Sequence, residues 1–198
     1  MRSVLLMTAA TSVLLSSAGS ARSQNVVDTS YVTDDGRVQQ LQIVVSAPID
    51  SVWSALTTTE GIRSWAVPVA EVDFRIGGTW ESSYDPEARI GNAHNIVNRY
   101  LAYVPERMIA IQAVEAPPGF PHPEVLSEIV HVIELENLGH GRVRVTESGV
   151  GYREGPTHDA VYALFEKGNA WILKQLHRRF ADGPVDWSQP GAGPGTDP

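Results

Sequence analysis

The sequence of 198 residues contains no cysteine. Disulfides, thiolate chemistry and metal sites built on cysteine are therefore excluded. Basic residues are also scarce, since 15 Lys and Arg stand against 23 Asp and Glu and the formal net charge is -8. Binding to phosphates needs clustered Lys and Arg, so we expect no nucleic acid as a partner. The same charge argues against docking on anionic lipid.

Several motifs of common catalytic and metal sites are missing as well. The sequence has no HExxH, no pair of histidines four residues apart, no GxSxG and no phosphate-binding loop. These patterns place metal ligands, nucleophiles or phosphates in known geometries. We therefore expect no metal, no cofactor and no nucleotide site.

The N-terminus has the three-part layout of a secretory signal. Arg2 precedes a short apolar stretch from Val4 to Leu15, and small residues follow as far as Ser23. The stretch is short for a bilayer, which needs about 20 apolar residues. We predict a signal peptide over residues 1–23, no transmembrane segment after its removal, and a periplasmic or secreted protein. A retained anchor and a cytosolic leader are the alternatives.

Residues 38–180 have the pattern of one domain. Val38 to Val45 alternates as a strand does, and Pro48 opens two short helices that extend to Trp65. Residues 25–36 are polar and are predicted to be loose, and the Pro-rich segment 116–123 is predicted to be a loop. Further strands are predicted over 72–76, 80–84, 95–103, 107–114, 128–135 and 142–146.

The C-terminal part predicts one long helix followed by a tail. Thr157 is the expected N-cap, and apolar residues recur at helical spacing down to Phe180. The Pro- and Gly-rich segment 183–198 is predicted to be disordered. Short helices, several antiparallel strands and a long helix, in this order, indicate an α+β fold with helices on one side of the sheet.

The segment from Ser46 to Pro68, the run FRIGG at 74–78 and the run RVRVTESGVG at 142–151 resemble the START-related SRPBCC superfamily. The similarity is to the branch of the activator of heat-shock-protein ATPase, and it covers residues 38–180. It implies a helix-grip fold like that of the Bet v proteins: a curved antiparallel sheet around a long C-terminal helix, with a cavity between them. Fold likeness alone does not carry a ligand over.

Two departures from the usual pattern of this branch fall where the cavity is expected. Gly168 and Trp171 are separated by two residues, whereas the branch commonly has Gly and Trp adjacent. Glu147 follows Thr146 where the branch often has a histidine. The identity of the ligand is therefore left open.

The last two strands allow an inference about the cavity. If a five-residue turn pairs Leu135 with Val143, strand alternation brings His131 opposite Glu147 on the inward face. Such a pair orients a ligand or transfers protons as a general acid and base. The alternatives are a hydrogen bond that only fixes the register and an edge pair in solvent.

The other residues expected at the cavity are mostly apolar or aromatic. Trp80 and Tyr84 either form its wall or belong to the plain core, and Trp171 either lines the cavity or plugs it. The loop 116–123, with Phe120 at its centre, either caps the cavity or is a stiff connector. The full set of candidate ligand-binding residues is Trp80, Tyr84, His131, Ile133, Val145, Glu147, Phe165, Gly168, Trp171 and Ile172.

Three functions remain as hypotheses. The first is an exported protein that binds a hydrophobic small molecule, lipid-like or aromatic, without chemistry. The second is a cyclase- or hydrolase-type enzyme that uses His131 and Glu147. The third, implied by the resemblance, is a chaperone-associated protein; predicted export away from cytosolic ATP-driven chaperones ranks it last. Oligomeric state is not addressed by the sequence.

Overall fold

The computed structural model describes residues 25–189. The predicted signal peptide and residues 190–198 of the predicted tail lie outside them. The helices are α1 Ile49–Thr57, α2 Thr59–Arg63 and α3 Pro156–Ala181, with a 3₁₀ helix at Pro123–Glu128. The strands are β1 Val27–Asp28, β2 Tyr31–Thr33, β3 Gly36–Val45, β4 Val69–Val72, β5 Thr79–Ser83, β6 Ile96–Val104, β7 Met108–Glu115, β8 Val130–Gly139 and β9 Arg142–Tyr152.

The described strands form one antiparallel sheet in the order β1-β3-β9-β8-β7-β6-β5-β4, with β2 also paired to β3. The pairing shifts register in β3 before Gln39, in β6 before Asn98 and Ala102, and in β8 before Gly139. Each such irregularity raises the local twist. Repeated on several strands, they curve the sheet around its inner face.

The two short helices close one end of this curved face. Val52, Ala55 and Leu56 of α1 are buried, as their helical spacing predicts. Thr58 caps α2 by accepting a hydrogen bond from the Gly61 N–H at 2.9 Å. The indole of Trp65 donates to the Ala55 carbonyl at 2.9 Å, and so ties the segment after α2 back to α1.

Helix α3 lies across the inner face and is held mainly to β3. Gln39 is fully buried and donates to the Tyr162 carbonyl at 3.0 Å, and it accepts from the Asn169 side chain at 3.0 Å. Val161, Leu173 and Leu176 of α3 are buried, but much of the helix between them is half-buried or exposed. The helix therefore packs against one part of the sheet, around β3, and crosses the other part without close packing.

Several predicted boundaries are wrong for identifiable reasons. The strand predicted over 72–76 ends at Val72, because Arg75 and Gly78 turn the chain by hydrogen bonds to Asp73 and Arg75. Ile76 is consequently 65% exposed. Helix α3 begins at Pro156 with Gly155, not Thr157, at the N-cap.

The segments predicted to be irregular also differ from expectation. Residues 25–36 contain β1 and β2, which pair with β3 through the backbone and need no apolar pattern of their own. Residues 123–128 of the loop region form the 3₁₀ helix, so β8 starts at Val130 rather than at residue 128.

The beginning of the predicted disordered tail is attached to the domain. Val185 donates its N–H to the Ser64 carbonyl at 2.9 Å, and the Trp187 indole donates to the Arg63 carbonyl at 2.7 Å. These bonds satisfy two carbonyls at the end of α2. Residues 183–189 are thereby attached to the domain, which differs from the prediction that they are disordered. Within residues 25–189, no helix combines the length and apolarity that a membrane span requires.

Candidate functional site

A cavity of about 450 Å³ lies between α3 and the inner face of strands β5 to β9. It is closed at one end by the segment after α2 and is bordered at another by the loop 116–122. Its volume is within the range of about 300–1,000 Å³ that is usual for small-molecule sites. All ten residues that the sequence placed at the cavity line it: Trp80, Tyr84, His131, Ile133, Val145, Glu147, Phe165, Gly168, Trp171 and Ile172.

Most of the lining is apolar. Ile111, Ala113, Ile133 and Val145 form the floor, contributed by adjacent strands. Leu56, Trp65, Ala66, Val67, Leu164, Leu173 and Leu176 add further apolar surface from the helices and the segment that follows α2.

Within this surface His131 and Glu147 form a buried pair. His131 Nδ1 lies 2.7 Å from Glu147 Oε1, and the two side chains are 10% and 7% exposed. The pairing register differs from the one expected, since Leu135 is opposite Val145 and not Val143. The hairpin turn is shorter than predicted: Gly139 pairs with Arg142, and Leu138 is left as a bulge.

The predicted contact between His131 and Glu147 is present although the predicted register was wrong, because the register is displaced by an even number of residues. His131 is opposite Gly149 and Glu147 is opposite Ile133, so the two form a diagonal pair on one face, within reach of long side chains. A shift by one residue would have turned Glu147 to the outer face.

Each partner of this pair has one buried polar atom that forms no hydrogen bond with any of residues 25–189. These atoms are His131 Nε2 and Glu147 Oε2. A third such atom at the cavity is Trp80 Nε1 on β5. Buried polar groups in folded proteins are nearly always paired, so these three atoms have hydrogen-bonding capacity left for a water or another molecule.

Tyr152 stands next to the pair, behind the cavity lining. Its hydroxyl is buried without a partner, and its ring packs on Tyr162 with centroids 5.0 Å apart. Burial raises the pKa of Tyr152 well above its ordinary value, and the nearby carboxylate of Glu147 raises it further. Gly149 makes room for this ring, because a Cβ there would lie 2.8 Å from Cε2 of Tyr152.

Aromatic side chains form the wall on the α3 side. The ring centroid of Phe165 is 4.7 Å from that of His131 and 6.2 Å from that of Phe120. Trp171 lines the cavity in an edge-to-face contact with Tyr84 at 5.9 Å. Trp80 and Tyr84 thus face the cavity, and the loop that carries Phe120 borders it.

Gly168 lies where α3 crosses the cavity. A Cβ added there would meet no atom within 4 Å. Gly168 is exposed to solvent and also borders the cavity. The helix is not pressed onto the sheet at this point, and the open space continues beside it.

Some lining residues were not found from the sequence. Asn98 contributes a polar group near Trp80, and Leu126 and Asn169 complete the border. Asn98 is paired directly with Trp80 across β5 and β6. Alternation in β6 puts Ile96 and Asn98 on one face and could have identified both. Nothing in the sequence indicated Leu126, because its position depends on the 3₁₀ helix.

Among residues 25–189, no three His, Asp or Glu side chains converge as metal ligands would. One contact between a histidine and a carboxylate outside the cavity is at the start of α3. There His158 Nε2 lies 3.6 Å from Glu128 Oε2, and Arg153 forms an ion pair with the same carboxylate.

The comparisons with known proteins agree on the type of fold. The model of the family "Activator of Hsp90 ATPase homolog 1-like protein" matches residues 46–181. A search of curated proteins found no match.

Similar solved structures cover most of the chain. The Aha1 dimer from Colwellia psychrerythraea has a TM-score of 0.58 and 16% identity, over 74% of this chain and 97% of that chain. A protein from Mesorhizobium loti has a TM-score of 0.59 and 17% identity, over 75% and 100%. CalU16 from Micromonospora echinospora has a TM-score of 0.54 and 20% identity, over 82% and 86%. At these identities the likeness concerns the fold alone, and it confirms the helix-grip α+β fold.

Proposed function

The chain belongs to the family of Activator of Hsp90 ATPase homolog 1-like proteins, and on that premise we propose that it binds an apolar small molecule between its sheet and α3. The fold of such a family hosts many activities, so the function has to be argued from the site itself. One observation carries the proposal: the cavity of about 450 Å³ is lined almost entirely by apolar and aromatic side chains.

Apolar burial supplies the driving force for such binding. Removing apolar surface from water contributes about 25 cal/mol per Å², from which the cost of immobilising the ligand must be subtracted. Because α3 is anchored to β3 through Gln39, the cavity exists before a ligand arrives. A preformed site loses less affinity to ordering than one that must assemble on binding.

The proposal is tested with a neutral apolar probe, N-phenyl-α-naphthylamine, whose emission rises in an apolar environment. We expect saturable binding to the wild type. In Gly168→Trp the new indole enters the cavity, and the affinity should fall about tenfold or more, a loss of at least about 1.4 kcal/mol.

The matched control introduces the same residue elsewhere on α3. Ala163 is exposed and does not line the cavity, so Ala163→Trp should bind the probe as the wild type does. Folded wild-type protein that does not bind the probe, or equal affinities of the wild type and Gly168→Trp, would refute the proposal. Native mass spectrometry of protein purified from its own host then identifies the natural ligand by mass.

The second candidate function is catalysis by the buried pair. The observation in its favour is the 2.7 Å contact between His131 and Glu147, which is the distance at which a carboxylate orients an imidazole for proton transfer. Turnover of ester or polyketide-like probes that is lost in Glu147→Gln would favour an enzyme. Probe binding without turnover would favour the binding protein.

Export of the protein belongs to the proposal as well. It rests on Arg2, the apolar stretch from Val4 to Leu15 and the small residues after it. Fractionation of the native host, with detection of the shortened chain outside the cytoplasm, tests it. Recovery of the full-length chain from the cytosol would return the chaperone-associated hypothesis to consideration.

A further inference from the structure

The cavity has a polar end whose chemistry limits what an apolar ligand can carry. His131 Nε2 and Glu147 Oε2 are buried and have no partner within the described protein, although the opposite atoms of both groups are bonded to each other. Leaving such groups unsatisfied is costly, and the cost is greater for charged groups. A ligand that bonds such an atom therefore gains more than its apolar area provides.

The two atoms differ in what they require. Glu147 Oε2 of a carboxylate only accepts, so it needs a hydrogen-bond donor. His131 Nε2 donates if the ring is protonated and accepts if the ring is neutral, because Nδ1 is engaged with Glu147. A hydroxyl group both donates and accepts, so it can bond His131 Nε2 in either state of the ring. An ether lacks the donor, and a carboxylate lacks the donor and carries the wrong charge.

The charges around Glu147 disfavour an anionic ligand. Among the described residues, His131 is the one Lys, Arg or His side chain within 4.0 Å of this carboxylate. A second carboxylate brought to the same apolar cavity would face Glu147 without a compensating Lys or Arg. Like charges in a site of low polarity repel strongly.

The surroundings favour an aromatic skeleton next to that hydroxyl. Phe165 packs on the His131 ring and Phe120 lies beyond it, so a flat ring can make offset or edge contacts with both. Ile133 and Val145 complete the apolar floor at this end.

We propose that the His131–Glu147 pair recognises the hydroxyl group of a phenol-type ligand. The ligand hydroxyl bonds His131 Nε2, Glu147 holds the imidazole in place through Nδ1, and the ligand ring occupies the space beside Phe165. This inference rests on the proposed binding function and specifies the class of ligand.

The test compares three probes that share one ring system: β-naphthol, methyl β-naphthyl ether and β-naphthoate. Dissociation constants are measured by calorimetry at neutral pH. We expect the wild type to bind β-naphthol about tenfold or more tightly than the ether or the naphthoate, since neither of these can donate a hydrogen bond to the buried pair. In His131→Phe/Glu147→Met the preference for the phenol should fall to within about twofold.

Two further variants keep the test interpretable. Glu147→Gln preserves the shape of the side chain and removes its charge, so it should lower the preference for β-naphthol several-fold even if the double variant does not fold. Glu136→Gln removes a charge from β8, the strand of His131, at a position outside the cavity where Glu136 pairs with Arg144, and should leave all three affinities unchanged.

The outcomes separate the two proposals. Equal wild-type affinities for β-naphthol and its methyl ether, or a preference for the naphthoate, would overturn phenol recognition and leave apolar binding intact. A preference for the phenol that persists in both Glu147 variants would place its recognition elsewhere and also overturn the inference. If folded wild type binds none of the probes, the binding function itself fails.

Discussion

His131 and Glu147 make a 2.7 Å contact although neither is the other's cross-strand partner. His131 is paired with Gly149, and Glu147 with Ile133. Because Gly149 has no side chain, the Tyr152 ring occupies the space opposite His131. The pair is held diagonally across β8 and β9, and one buried polar atom of each partner has no hydrogen bond among the described residues.

A double-mutant cycle measures how strongly the two side chains depend on each other. His131→Phe and Glu147→Met each leave a buried polar group alone, so each should lower the free energy of unfolding by about 1–3 kcal/mol. The double variant removes both groups and should lose less than the sum, with a coupling of about 0.5–3 kcal/mol. Urea unfolding monitored by circular dichroism provides the values. Additive losses would show that the contact contributes nothing to stability.

Two glycines should respond in opposite directions to the same substitution. Gly168→Ala should raise the free energy of unfolding by about 0.5–1 kcal/mol, because alanine is the better helix former and its Cβ meets open space. Gly149→Ala should lower it by about 1–3 kcal/mol, because the added Cβ would press on the buried Tyr152 ring. Each variant is the control of the other in denaturant titrations. Destabilisation by Gly168→Ala would mean that α3 is packed more closely than the structure shows.

The loop that carries Phe120 should control how fast a ligand leaves. Phe120 lines the cavity and contacts Phe165. Phe120→Ala should raise the dissociation rate of N-phenyl-α-naphthylamine about two- to tenfold, since aromatic pair contacts contribute about 0.5–1.5 kcal/mol. Stopped-flow displacement measures this rate. Val32 is 78% exposed on β2, so Val32→Ala is the control, and equal rates in the two variants would make the loop a simple connector.

His158 should make the stability of the protein depend on pH. Its ring accepts the Arg153 N–H at 3.2 Å, and Asp159, Arg37 and Glu128 lie around it. Burial, with the positive charges of Arg153 and Arg37, lowers the pKa of His158 below its ordinary value of 6.5. The unfolded chain therefore binds the proton more readily, and this group's contribution to stability is lost as the pH falls through 6.5 and below.

The corresponding experiment compares urea unfolding at neutral pH and at a pH below 6.5. Compared with the wild type, His158→Gln should lose less stability on acidification. His94 is exposed, so His94→Gln should follow the wild-type pH dependence. A His158→Gln profile parallel to that of the wild type would show that His158 does not titrate differently in the folded and unfolded states.

The parts of the site that could be predicted are those set by local periodicity. Alternation along β8 and β9 puts His131, Ile133, Val145 and Glu147 on one face whatever the exact register, provided that the shift is even. Helical spacing likewise assigned Phe165 and Ile172 to the side of α3 that faces the sheet. The helix-grip fold could be predicted from the order of elements and from the resemblance of residues 46–68, 74–78 and 142–151.

The parts that could not be predicted depend on residues far apart in the chain. The bulge at Leu138 displaced the hairpin register, and the hydrogen bonds around Asp73 ended β4 early. The strands β1 and β2 form because they pair with the free backbone edge of β3. The polar sequence of residues 25–36 gives no sign of this pairing.

The sequence by itself determined the type of fold and which side chains share the inner face, because both follow from spacings of two and of about 3.6 residues along the chain. Only the tertiary structure decided that these side chains enclose open space instead of touching. Gln39 seats α3 on β3, and the twisting of the sheet carries β5 to β8 away from the helix. How far two packed layers diverge is a property of their joint geometry, which no local pattern encodes.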